Sequence, residues 1–240
     1  MKKHLVIIGN GMATGRLLQL LNERADNLFD ITVFGEEPGG SYNRVLLSPL
    51  LGGELEMNKV ITFPSEWYEK NGYRLHCGDP VTHIDRQNKQ VTSQSGHCVS
   101  YDELIIATGS YPSMIPIQGA ELDGVMSFRT LKDVAAMQSI AQQKKHAIVI
   151  GGGFLGLEAA EGLRLLGMDV TLIHRADYLL NNQLDETAGE MLLDSLNERG
   201  LKFRLNASTE SINASKTDGN TVGSITLQGG ETLPADLVVI

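Results

Sequence analysis

Two short glycine-rich stretches carry the residues best suited to chemistry. Val6-Ile7-Ile8-Gly9-Asn10-Gly11 is an apolar run that breaks at a Gly-X-Gly turn, and Ile148-Val149-Ile150-Gly151-Gly152-Gly153 repeats it 142 residues later. A strand that turns sharply into a helix points free backbone N–H groups and the positive end of the helix dipole at one spot. Glycine lets a pyrophosphate approach that backbone without a Cβ in the way. One such motif is weak evidence; two in strand–turn–helix context are much stronger. The second copy is intact, with Gly151, Gly153 and Gly156. In the first, Thr14 stands at the third glycine position with Gly15 beside it, so slightly looser helix–strand packing is expected there.

The strand after each turn normally carries the residue that reads a ribose. Glu36 and Glu37 follow Ile31–Phe34, and a carboxylate accepts both hydroxyls of an adenosine ribose. In the second copy the same place, after Val170–Ile173, holds His174-Arg175, with no acid before Asp177. A cationic pair there neutralises a 2′-phosphate, so the chemistry leans toward NADPH over NADH.

The elements that position these residues follow from the apolar pattern. Leu17, Leu18, Leu20 and Leu21 follow the first turn at helical spacing, and Leu157, Ala160, Leu163 and Leu166 follow the second. Between the copies, residues 64–69 read as a short helix ended by Asn71-Gly72. Residues 73–76, 81–84 and 90–92 read as short strands, with a turn at 86–89. Residues 104–106 form a buried strand that breaks at Gly109, residues 111–116 a linker, and residues 131–143 a helix leading into the second copy. The period is too long for a solenoid. It fits an α/β fold of two Rossmann-like domains of the three-layer ββα type, at residues 1–112 and 113–240.

Composition bounds the rest. The chain has 240 residues, 42% of them apolar, and a formal net charge of −9, which disfavours a phosphate-neutralising nucleic-acid surface. Its 26 glycines show no collagen period, so they belong in specific turns. Only Cys77 and Cys98 are present, with no CxxC and no histidine cluster at zinc spacing. A disulfide framework and a metal site are therefore not expected, and a reducing compartment fits. The apolar run after Met1-Lys2-Lys3 stops at Gly9, short of a leader's apolar core, and no stretch reaches the ~20 residues of a membrane span. A cytoplasmic protein is expected.

The residues match a known family. Gly9-Asn10-Gly11-Met12, the segment 31–38, Tyr42-Asn43-Arg44-Val45, Leu47-Ser48, Ala107-Thr108-Gly109 and Gln183-Leu184-Asp185 resemble the FAD-dependent pyridine-nucleotide reductases. Within that family the chain is similar, over its whole length, to the N-terminal flavin module of the assimilatory NAD(P)H nitrite reductase large subunit. The resemblance implies FAD and NAD(P)H as cofactors. It places Gly9, Asn10, Gly11, Met12 and Ala13 along the FAD pyrophosphate, Glu36, with Glu37 beside it, at the adenosine ribose, and Arg44 at an FAD phosphate or ribose. Val81 would touch the adenine through its backbone; Ala107, Thr108 and Gly109 would pass close to the cofactor; Arg129 would reach the flavin side. Gly151, Gly152, Gly153, Phe154, Leu155 and Gly156 would meet the NAD(P)H pyrophosphate, and His174 and Arg175 its ribose end. Glu158 would sit by the nicotinamide carboxamide, and Phe154 would cover the flavin until nucleotide enters; a core aromatic is the competing reading of Phe154.

Two departures from the family pattern matter. Many relatives carry a lysine directly after the Leu-Ser pair, where this chain has Pro49. The cysteines of the disulfide-reducing relatives are missing from both of their usual places, so a dithiol relay is excluded. The resemblance implies hydride passage from NAD(P)H to FAD and on to an iron–sulfur and siroheme centre that reduces nitrite to ammonia. Two cysteines cannot ligate such a centre, so further domains or a partner must supply it. A reductase of a rubredoxin- or ferredoxin-type carrier is one alternative; a non-enzymatic redox sensor or an inactive fragment is another. The closing strand Ala235–Ile240 has no turn after it, which suggests truncation before a C-terminal interface domain. Weak FAD binding by this chain alone is expected, and a homodimer only where that domain is present.

Overall fold

A computed structural model describes residues 2–24 and 28–240. Met1, at the head of the stretch weighed above as a leader, lies outside the described residues. The chain divides into two compact units, one of residues 1–44 and 57–111, the other of residues 45–56 and 112–240.

In the first unit, strand Lys3–Ile8 lies between strands Phe29–Gly35 and Glu103–Ile106, and Arg74–Cys77 extends the sheet beyond Phe29–Gly35; all pairs are parallel. Val6, Ile7 and Val33 are fully buried because helices and strands cover both faces, the condition under which parallel strands read as continuous apolar runs. Helix Met12–Arg24 buries Leu18 against Leu5, Ile7, Ile31 and Val33. Each such side chain contributes roughly 1.5–3 kcal/mol on burial. An antiparallel meander of Val81–Asp85, Gln90–Ser93 and Cys98–Ser100 packs on Val6, Ile8 and Phe34. Glu103–Ile106 differs from the expected buried strand. It is the sheet's edge, and Ile106 is 62% exposed.

The second unit repeats this plan. Parallel strands run in the order Val125–Met126, Leu237–Val239, His146–Ile150, Asp169–Ile173 and Lys202–Arg204. A second antiparallel meander, Thr209–Ala214, Val222–Leu227 and Thr232–Pro234, packs on Ile148, Ile173 and Val238. The correspondence reaches single hydrogen bonds. Gly9 N–H donates to Phe34 O at 2.8 Å, and Gly151 N–H to Ile173 O at 2.9 Å.

The segment 45–56 belongs with the second unit although it lies within the first in sequence. Its helix Leu47–Leu51 packs on helix Phe154–Leu165 at Gly162, where a Cβ would stand 2.8 Å from Leu51. Gln138, on helix Leu131–Ala141, donates to Leu50 O at 2.8 Å and fastens the same segment.

Candidate functional site

The first turn is built by close backbone approach. Gly9 has φ +109°, and a Cβ there would lie 2.2 Å from Ala107 O. Ala107 is held in turn by its N–H bond to Ile8 O at 2.7 Å, so Gly9 and Ala107-Thr108-Gly109 form one wall. The third motif position is filled rather than loosened. Thr14 is buried, and its hydroxyl donates to Gly9 O at 2.6 Å. Gly11, Met12 and Ala13 open the helix, with open space where a Cβ of Gly11 would stand.

Asn10 is oriented from below by a residue that sequence reasoning missed. The hydroxyl of Tyr68, itself fully buried, donates to Asn10 Oδ1 at 2.7 Å. Burial pushes the Tyr68 phenol up to about 12. Its unfolded value is near 10, so the folded chain holds this proton more tightly. The resulting stability is complete below pH 10 and disappears as pH rises toward 12, about 3 kcal/mol in all. Tyr68→Phe is expected to lose ~1 kcal/mol at neutral pH and to abolish that alkaline step, as read by urea melts at pH 7 and pH 11. An unchanged alkaline step would assign it to another tyrosine.

The two adjacent acids divide their work. Glu37 is taken by Arg44 and by the Tyr42 hydroxyl at 2.8 Å, and the Arg44 guanidinium lies over the Tyr42 ring at 5.1 Å. Arg44 N–H also meets Met12 Sδ at 3.3 Å. Glu36 is exposed and accepts from Tyr111 Oη at 2.7 Å, which leaves Glu36 as the accessible carboxylate at the strand end. Val81 and Thr108 line a cavity of about 280 Å³ together with Ile8, Ile84 and Ile106.

In the second unit, Gly153 begins helix Phe154–Leu165 with no side-chain cap. The helices at Leu131 and Glu186 are capped instead by Thr130 and Asp185 side chains. An uncapped end leaves the first backbone N–H groups for an anion. Gly152 stands apart, because its N–H donates to His174 Nδ1 at 3.1 Å. The other nitrogen of that ring meets Asn181 Oδ1 at 3.1 Å. His174 is thus a brace under the turn, and Arg175, exposed, is the cation left at the strand end. Phe154 and Leu155 are 58% and 57% exposed, so Phe154 is not a core aromatic. Arg129 is half-buried just before the capping box of helix Leu131–Ala141.

Glu158 lies one turn into the same helix, and Ser48 Oγ donates to its Oε2 at 2.7 Å. Pro49 stands with Ser48, Glu54, Leu157, Glu158 and Leu165 in the wall of a second cavity of about 280 Å³. Both cysteines are free, Cys77 half-buried and Cys98 exposed.

Two parallel sheets, each entered through a strand–glycine turn–helix, define a tandem dinucleotide-binding protein. The chain belongs to the pyridine nucleotide-disulphide oxidoreductase family, whose model matches residues 3–240. It is accordingly an FAD- and NAD(P)H-dependent oxidoreductase module, and the close glycine approaches of both turns and the uncapped helix of the second fit those cofactors. It is 43% identical over 239 residues to nitrite reductase [NAD(P)H] of Bacillus subtilis, covering 100% of this chain and 29% of that protein. It is 42% identical to the assimilatory nitrate reductase electron transfer subunit of the same organism, covering 100% of this chain and 30% of that protein. The chain thus spans about three-tenths of the length of these relatives. Among solved structures, the covalent putidaredoxin reductase–putidaredoxin complex matches with a TM-score of 0.90 at 27% identity, over 99% of this chain and 57% of that one. No helix among the described residues is long and apolar enough to cross a membrane.

Proposed function

We propose that this chain is the NAD(P)H-oxidising flavin module of a nitrite reductase, and that its electrons pass to an iron–sulfur and siroheme centre on other domains or a partner. The observation that carries the reading is the doubled glycine turn, with Glu36 exposed after the strand that follows the first and Arg175 exposed after the strand that follows the second. When bound, the flavin supplies the chemistry that accepts a hydride and releases electrons. The residues of this chain bind and orient. Asn10–Ala13 and Gly153–Leu155 offer backbone N–H groups to the two pyrophosphates, while the Gly9 N–H is held by Phe34 O. Glu36 accepts from the adenosine ribose of FAD. Glu158, steadied by Ser48, holds the nicotinamide carboxamide, so that the ring is presented in one orientation.

Stopped-flow mixing of FAD-reconstituted chain with NADPH tests this. Bleaching of the oxidised flavin band is expected, slowed at least about tenfold in Glu158→Gln and a few-fold in Ser48→Ala. No bleaching at saturating nucleotide would sink the reading and favour a sensor. Arg175→Ala is expected to lower the NADPH-over-NADH rate ratio about tenfold or more, since it removes the charge facing the 2′-phosphate. His174 is left in place for this test because its loss would also disturb Gly152.

A second reading is reduction of a small electron carrier. It is supported by 32% identity over 98% of the chain to rhodocoxin reductase of Rhodococcus erythropolis. Rapid NAD(P)H-dependent reduction of an isolated rubredoxin- or ferredoxin-type protein would favour it.

A further inference from the structure

The fold brings His97 to His76 and Asp79, which lie close together in sequence. His76 is the penultimate residue of strand Arg74–Cys77, Asp79 follows the turn at Gly78 (φ +64°), and His97 closes the turn between strands Gln90–Ser93 and Cys98–Ser100. One ligand atom from each lies within 4.8 Å of the others. Backbone bonds hold the two loops together: Gln94 N–H donates to Pro80 O at 2.8 Å and Ser93 N–H to His97 O at 2.9 Å. All three residues lie in the first unit, away from the glycine turn and from Glu36 in sequence.

We propose that His76, Asp79 and His97 form a binding site for a borderline divalent transition ion such as Zn²⁺. Two imidazoles and one carboxylate select that class over Ca²⁺ or Mg²⁺, which take oxygen ligands. Each ligand is set in place independently of an ion. The His76 ring stacks on buried Phe34 at 4.6 Å and 10°, and it makes no hydrogen bond among the described residues. A neutral imidazole has one ring nitrogen with a free lone pair to offer an ion. Asp79 is 7% exposed, and its carboxylate is aimed by Ser93 Oγ at 2.7 Å and by Ser95 N–H at 2.9 Å. Such hydrogen bonds are the usual outer support of a metal-ligating carboxylate. His97 Nδ1 lies 2.8 Å from Asp79 Oδ2, and its side chain is 55% exposed, which gives an ion a path from solvent.

Side-chain movements bring the three into register. Tetrahedral ligands around zinc stand about 3.3 Å apart. From 2.8 Å the Asp79–His97 pair must open by about 0.5 Å, and from within 4.8 Å His76 must close in by at most about 1.5 Å. The rival reading is a serine–histidine–aspartate relay, and it fails on atoms. Ser95 Oγ at 2.7 Å and Asp79 Oδ2 at 2.8 Å both face the same ring nitrogen of His97, whereas a relay needs opposite nitrogens. Cys77 alternates to the other face of its strand and takes no part. An ion here would tie the end of the parallel sheet to the meander that covers it.

The test uses the whole chain, freed of metal with a chelator and titrated with Zn²⁺ by calorimetry and with Co²⁺ by visible absorption. One equivalent is expected, with ligand-field bands for Co²⁺ and a Zn²⁺-dependent rise in melting temperature. His76→Gln and His97→Gln are each expected to weaken binding at least about tenfold. His76→Gln breaks no hydrogen bond, so it decides the matter even where the His97 variant fails to fold. Absence of stoichiometric binding, or binding retained by His76→Gln, overturns the site. Neither readout depends on flavin, nucleotide or turnover.

Discussion

Gly9→Ala is expected to lose flavin binding entirely and to destabilise the chain by about 3–5 kcal/mol. Two effects add at this position. An L-residue at φ +109° costs about 1–2 kcal/mol. The new methyl would also lie 2.2 Å from Ala107 O, a backbone carbonyl just past strand Glu103–Ile106 in a residue whose N–H is fastened to Ile8 O, with no flexible side chain to yield. The only relief is to part the turn from residues 107–109, which are the two walls of the proposed flavin cradle. Urea melts and flavin absorbance after reconstitution check both halves. A Gly9→Ala chain that is yellow and as stable as the parent contradicts this account of the turn.

Gly156→Ala is the second large effect, and the instructive one. Alanine gains about 1 kcal/mol over glycine in a helix interior. Here that gain is outweighed, because the methyl would sit 2.0 Å from Gly151 O. A net loss of about 3 kcal/mol is expected, and NAD(P)H binding should fall by two orders of magnitude or more as the turn is pushed out. Thr14, at the matching place in the first unit, provides the control. Thr14→Gly should cost only about 1–2 kcal/mol, the loss of its bond to Gly9 O plus the helix penalty of glycine. Calorimetric nucleotide binding and paired melts check the contrast; equal tolerance at both positions would remove it.

That contrast marks how far the sequence could be read. The strand–turn–helix units were legible because their signals are local: apolar runs, a Gly-X-Gly break and a helical repeat within about 30 residues. The short helix ending at Asn71-Gly72 was legible for the same reason, with Asn71 at its C-cap and Gly72 at φ +72°. Residues 104–106 read as a buried strand because they are apolar. Only strand order makes it an edge. The second meander at residues 209–234 passed unread, since short half-buried strands separated by polar turns carry little periodic signal.

The candidate site divides along the same line. Sequence by itself determined two dinucleotide turns and acidic and cationic residues at the ends of the following strands, because backbone geometry over a few residues dictates both. Tertiary structure decided which member of each pair is available. Glu37 is taken by Arg44 and His174 by Gly152, and neither partner is a neighbour in sequence. It likewise decided that residues 45–56 pack with the second unit, bringing Ser48 to Glu158, and that His76, Asp79 and His97 converge. Each of these rests on hydrogen bonds or packing that no regular spacing announces, several of them between residues far apart in the chain, so a linear reading has no period to find.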